Sequence, residues 1–223
     1  MTIKLFFEAI IKFLLGIILV GLLIFLPAGT LNYFNGWLFM GILFIPMFIA
    51  GIIMMIKNPK LLRSRLDAKE KQKEQNLLIK LSGLMFIAGF IIAGLDFRNK
   101  WLILPSFIPY IFAVLFILSY LMWAEVLREN TYLSRTIKVE EGQKVVSTGL
   151  YGIIRHPMYT ATIILFLSMP LVLGSLISFV ILLIYPIIIV FRIINEEKLL
   201  EKELVGYVEY KKKVKYRLIP FIW

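Results

Sequence analysis

"MYTATIILFLSMPLVLGSLISFVILLIYPIIIVF", residues 158–191, runs for 34 residues without one formal charge. At about 1.5 Å per residue, a straight helix of that length far overshoots the roughly 30 Å of a bilayer's hydrocarbon core. Met169-Pro170 and Gly174-Ser175 both carry turn or helix-breaking signals. The stretch therefore predicts two helices of about 16 residues joined by a tight turn. Such a hairpin is just long enough to cross with snorkelling ends.

Four further apolar stretches lie upstream: Ile10–Leu26, interrupted by Lys12, then Trp37–Ile56, Leu77–Leu95 and Leu102–Trp123. With 60% hydrophobic residues in 223, the chain carries more apolar surface than a soluble domain needs. The first stretch has signal-peptide features in Lys4 and Ala28-Gly29. Glu8 and the immediate second stretch favour a retained helix. Six crossings of an all-α integral membrane protein result.

Loop charge sets the expected orientation. Lys57–Lys80 carries eight Lys/Arg against three Asp/Glu, Glu125–Arg155 carries five Lys/Arg, and the tail from Arg192 carries eight. The turns after the first and third helices carry none and two. Both termini and the large loops are thus expected in the cytoplasm. The insert at 125–155 is expected to form a small cytoplasmic cap. Within it "TIKVEEGQKVVSTG" (136–149) alternates β-branched and polar residues around Glu141-Gly142, a short β-hairpin signal.

Composition excludes several classes. With no cysteine and one histidine, thiolate chemistry is absent and no metal site is expected. The net charge of +11 sits beside apolar runs rather than in a separate aromatic-rich basic patch, so nucleic acid is not an expected partner.

The single histidine lies in "GLYGIIRHPMY" (149–159). Proline after His156 biases that histidine away from α geometry, and Pro157 suits a helix's first turn. His156 is thus expected at the mouth of the fifth helix. Free N–H groups there, with Arg155 and His156, would attract an anion. Tyr151 and Tyr159 add aromatic faces that can stack on a base or a cation. Interfacial anchoring explains the same residues, and local physics leaves both readings open.

The chain then leaves the apolar run through "VFRIINEEKLLEKELVGYVEYKKKVKYRLIPFIW" (190–223). Arg192 and Glu196 share a helix face in the less favourable order for a pair. Glu196 and Glu197 repel each other. A solvated helix extension explains the leucines. Charges beginning this close to hydrocarbon usually face a polar cavity.

"STGLYGIIRHPMY", a hydrophobic hairpin, "RIINEEKLL" and "GYVEYKKKVKYRLIPFIW", in this order, resemble the isoprenylcysteine carboxyl methyltransferase family. "NPKLLRSRL" and "GLDFRNKWLILP" are similar to its bacterial and archaeal branch. The resemblance implies one membrane domain over 1–223, with N-terminal helices at about 10–127. The cofactor-binding and catalytic part is then about 128–223. It implies S-adenosylmethionine as cofactor, held by Gln143, Lys144, Val145, Val146, Tyr151, His156, Pro157, Met158, Tyr159 and Glu196. Arg192 would face the methyl acceptor, with Arg192 and Glu196 as the catalytic pair. Because "LVGYVEY" departs from the family pattern, Tyr207 and Tyr210 are left outside the expected site.

The expected reaction is methyl transfer to a lipophilic, membrane-embedded acceptor, with a carboxylate first. Such an acceptor is already ionised near pH 7, and an arginine can grip it through two parallel bonds. N-methylation of an amino-headgroup lipid is the alternative, with Glu196 or Glu197 as base. A non-catalytic membrane scaffold or lipid-binding protein is the third reading. Membrane lipids are the other expected partners.

Overall fold

A computed structural model describes residues 3–66, 73–133, 139 and 141–223. The described residues form α1 (Ile3–Ala28), α2 (Phe34–Lys57), α3 (Pro59–Leu66), α4 (Lys73–Asn99) and α5 (Ile108–Glu129). A 3-10 turn, Gly149–Gly152, precedes α6 (Pro157–Val172), α7 (Leu176–Leu182), α8 (Ile184–Glu203) and α9 (Tyr207–Lys213). The all-α expectation holds. Of the expected β-hairpin, residues 136–138 and 140 lie outside the described set. The rest of it forms no strand.

Five helical stretches are long and apolar enough to cross a membrane: α1, α2, Asn76–Asn99, α5 and Leu176–Glu203, which comprises α7 and α8. Their outward faces carry large apolar side chains such as Phe7, Leu15, Leu19, Leu118 and Ile187. Helices that are apolar all round and this exposed need lipid as their solvent. The chain is an integral membrane protein. The expected fifth crossing, α6, has 16 residues, about 24 Å of helix and short of the hydrocarbon thickness.

The turn of the C-terminal hairpin falls at Leu173–Ser175, as Gly174-Ser175 suggested, but Pro170 does not end α6. The returning arm is longer than expected and is interrupted at Leu183. Pro186 has no N–H to offer the carbonyl of Leu182, so the helix is broken there and restarts with Pro186 in its first turn.

Two other boundaries shift for local reasons. The fourth apolar stretch becomes helical only at Ile108, with Pro109 in the first turn. Residues 101–107 form a bend instead, fixed where Asp96 accepts the N–H of Leu102 at 3.1 Å. At the other end, α1 starts at Ile3, and Lys12 donates to the terminal carbonyl of α3, Leu66, at 2.9 Å. The charge inside the first apolar stretch is thus a helix cap, satisfying a carbonyl that α3 leaves orphaned.

Phe39, Phe90, Phe116, Ile24, Val172 and Ile193 centre one core shared by the long helices. α6 packs most extensively on α5, while α4 bridges α1 and α7. Far from α3, a buried polar node locks the hairpin turn. Ser175 donates to Asp96 at 2.6 Å and caps α7 through Ser178 N–H, while Tyr33 donates to the carbonyl of Leu173. At the opposite end, Arg65 of α3 stacks over Trp123 and reaches Met158 of α6. The ends of α2, α5 and α8 and the start of α6 therefore gather on one side.

The approach of α4 to α1 requires a residue without Cβ at Gly94. A Cβ there would lie 2.5 Å from the carbonyl oxygen of Ile24 and 3.0 Å from the nitrogen of Ala28. Both are backbone atoms that cannot swing aside. We expect Gly94→Val to lower the midpoint of thermal unfolding in detergent, at a cost of about 1–3 kcal/mol of overpacking. Gly83→Val, on the same helix with nothing within 4 Å, leaves the midpoint nearly unchanged.

Candidate active site

His156 takes φ −126°, ψ 58°, and Pro157 opens α6, as the His-Pro pair requires. The backbone before the proline is held by the C-terminal segment. Arg155 N–H donates to Tyr216 O and His156 N–H to Arg217 O, both at 2.9 Å. Arg155 also donates through Nη1 to the carbonyls of Val214 and Lys215, each at 2.8 Å. A stretch that reads as a helix mouth is thus a three-way junction of α6, α8 and the tail.

Glu197 closes that junction. Its side chain is 3% exposed, as the Arg155 side chain is 4%. Arg155 Nε donates to Oε1 at 2.7 Å and Arg217 Nε to Oε2 at 2.9 Å. His156 Nε2 lies 3.3 Å from Oε1 and donates there when that nitrogen carries the proton. The expectation that Arg155 and His156 attract a ligand's anion is therefore corrected. Their anion is Glu197, a carboxylate from another helix. The same bonds argue against Glu197 as a base, since a guanidinium donor already holds each of its two oxygens.

Glu196 points elsewhere, which relieves the repulsion that adjacent glutamates suggest. Tyr159 of α6 donates to Glu196 Oε2 at 2.5 Å and accepts from Arg192 Nε at 2.9 Å. Arg192 and Glu196 are four residues apart but meet through this phenol. The arginine also lies 6.0 Å over the Tyr159 ring. Both charged side chains are half-buried, and Tyr159 is buried.

These groups line one cleft. The sequence-derived candidates Gln143, Lys144, Val145, Val146 and Tyr151 form one wall. His156, Met158, Tyr159, Arg192 and Glu196 also contribute to it. Pro157 does not line it and is fully buried as the first residue of α6. The cleft has a volume of about 90 Å³ and opens to solvent.

The structure adds residues the sequence reading left out. Gly206 takes φ +86°, a left-handed turn that glycine adopts without strain, and α9 starts immediately after it. That turn brings Tyr207 and Tyr210 into the cleft wall, packed with Leu204, Val214, Val139 and Val145. Tyr210 donates to the carbonyl of Tyr151 at 2.7 Å, and Asn130 Nδ2 donates to the Tyr151 hydroxyl at 3.1 Å. Burial pushes the Tyr151 and Tyr210 hydroxyls above the ordinary tyrosine range. Tyr207 differs: its hydroxyl is buried and has no hydrogen-bond partner among the described residues. Such an orphan costs about 1–3 kcal/mol. Two tyrosines three apart behind a glycine were the available signal, since that spacing puts both on one side of a short helix.

Residues 107–204 match the family model described as phospholipid methyltransferase. The match covers α5, the cleft residues from Gln143 to Leu204, the hairpin and α8, and stops before α9. It bears out, over that segment, the resemblance to membrane methyltransferases. A stretch of 91 residues is 32% identical to the Delta(14)-sterol reductase TM7SF2 of Mus musculus. That alignment covers 40% of this chain and only 22% of the reductase, so the chain spans about a fifth of that relative's length.

Removing the carboxylate at the junction leaves buried cations without a counter-ion. We expect Glu197→Ala to destabilise the protein by about 3–5 kcal/mol, read as a lower unfolding midpoint in detergent. Adding Arg155→Ala to it costs much less than the two single losses summed, because both act on one network. Additive losses would show that the junction does not behave as a unit.

Proposed function

We propose that this chain, whose residues 107–204 carry the phospholipid methyltransferase match, moves a methyl group from S-adenosylmethionine to a lipophilic acceptor held in the bilayer. A carboxylate in an isoprenylcysteine-like setting is the preferred acceptor. The observation that carries this reading is the Arg192–Tyr159–Glu196 chain, set in the cleft where α8 ends its uncharged run.

The residues present fit that cofactor. Its adenine, ribose and amino-acid end need aromatic faces, acceptors and donors. The cleft offers Tyr151 and Met158, the Glu196 carboxylate, Gln143 and Lys144, and the unpartnered hydroxyl of Tyr207. When bound, S-adenosylmethionine supplies a methyl group already activated by its sulfonium charge. The chain's own task is then alignment and exclusion of water. Gln143–Val146 and α9 wall the cofactor side, and Glu196 lies toward it. Arg192, oriented by Tyr159, holds the acceptor carboxylate from the membrane side. The basic residues of 57–80, 125–155 and the tail favour the cytoplasm as the side on which the cleft opens.

The family description favours a second reading, N-methylation of a phospholipid amine. An amine must lose a proton before attack, and Glu196 is then the available base, since Glu197 is fully engaged. Both names found by comparison, a phospholipid methyltransferase and a sterol reductase, point to lipid substrates. This supports a membrane-borne acceptor under either reaction.

Labelled methyl transfer from S-adenosylmethionine into a membrane extract tests the reading. Alkali-labile label marks an ester and alkali-stable label an N-methyl group. Arg192→Ala should bind the cofactor as the unaltered protein does while losing about 100-fold or more in transfer, a loss typical of misplacing one reactant. Full turnover by that variant on a lipid carboxylate would remove Arg192 from the acceptor site. Absence of cofactor binding up to about millimolar, measured by calorimetry, would instead point to a non-catalytic lipid-binding role.

A further inference from the structure

Tyr207 is 4% exposed, lines the cleft, and keeps a hydroxyl with no partner among the described residues. Every other buried side-chain oxygen or nitrogen among those residues is satisfied. A hydroxyl held dry beside a cleft is an unspent donor, and a ligand group is the natural partner. Burial first, then the charges of Glu197 and Glu196, push this hydroxyl well above the ordinary tyrosine range. It therefore stays protonated near neutral pH and is available to donate.

The surrounding charge says what it donates to. Arg155, Arg217 and Lys211 all approach Glu197, and Lys211 also pairs with Glu201. With Arg192 and Glu196, which meet through Tyr159, four cations stand against three carboxylates, and one positive charge is in excess around this end of the cleft. Lys144, which also lines the cleft, adds to it. An anionic ligand group is favoured there, and a hydrogen bond to a charged acceptor is about twice as strong as a neutral one.

We propose that the Tyr207 hydroxyl receives the carboxylate of the cofactor's amino-acid end, and so selects the cofactor against analogues lacking that carboxylate. This rests on the reading of the cleft as an S-adenosylmethionine site. Tyr207 is a binding and specificity residue and takes no part in bond making. Gly206 is what places it, by turning the chain so that α9 enters the wall directly behind the acidic pair.

The test is calorimetry on the full chain in detergent, with S-adenosylhomocysteine and its decarboxylated analogue as probes. Tyr207→Phe should weaken S-adenosylhomocysteine roughly 10- to 100-fold in Kd, the loss of one hydrogen bond to a charged group. The decarboxylated analogue should bind the variant and the unaltered protein alike. The ligand-free variant should unfold at the same or a higher temperature, because an unsatisfied buried hydroxyl has been removed. Unchanged S-adenosylhomocysteine binding overturns the proposal. Equal weakening of both probes also overturns it, by placing the donor on the nucleoside. A lower ligand-free midpoint assigns Tyr207 a structural role and overturns it too. If the unaltered protein binds neither probe, the cofactor reading fails first and the proposal with it.

Discussion

A single carboxylate, Glu197, determines how the cleft end of the molecule can be built. It is buried, it belongs to α8, and its partners come from the entry to α6 and from the C-terminal tail. Arg155 carries the tail further, through the carbonyls of Val214 and Lys215. An isolated charge at this depth costs several kcal/mol, so the three segments are stable only together. The geometry of the cleft follows. With α6 and α8 fixed, Tyr159 must stand between Arg192 and Glu196, and the tail must return to carry α9 against 143–146.

Neighbouring glutamates thereby acquire different roles from environment alone. Glu197 has its lone pairs filled by guanidinium and imidazole donors and holds structure. Glu196, one residue on, takes a phenol hydrogen bond and faces the cleft. Sequence adjacency puts them about 100° apart around the helix. That angle sends one into the junction and the other into the site. A like-charged pair that is awkward on a bare helix is well accommodated between two partners.

Much of this was legible in the sequence where one residue type leaves the backbone little choice. Pro157 after His156 fixed the start of α6, and Gly174-Ser175 fixed the hairpin turn. The cleft-lining candidates were legible as a group because one ordered set of motifs carried them. What escaped depended on partners far along the chain. The Arg155–Glu197 pair spans 42 residues and Ser175–Asp96 spans 79, and no periodicity reports such distances. The break at Leu183 had its signal in Pro186, which uniform apolarity around it obscured, and Leu102–Phe107 looked helical because hydrophobicity alone does not show that Asp96 fixes the turn. Tyr207 was passed over because "LVGYVEY", with Gly206 inside it, departs from the expected family pattern. That glycine is what turns it inward.

The buried node at Asp96–Ser175 has a consequence for scale. It fastens the far turn of the hairpin, while Glu197 fastens the near end, so α8 cannot slide along its own axis without breaking one of them. Arg192 lies between these anchors. Its guanidinium is therefore held at a fixed level along the membrane normal, as a mark on a ruler is. If Arg192 receives the acceptor as proposed, lipids whose tails differ in length can present the same reactive group to that level, whereas a lipid whose group rides higher or lower cannot. Depth in the bilayer, more than the length of the apolar tail, is then the dimension along which the proposed site would measure what approaches it.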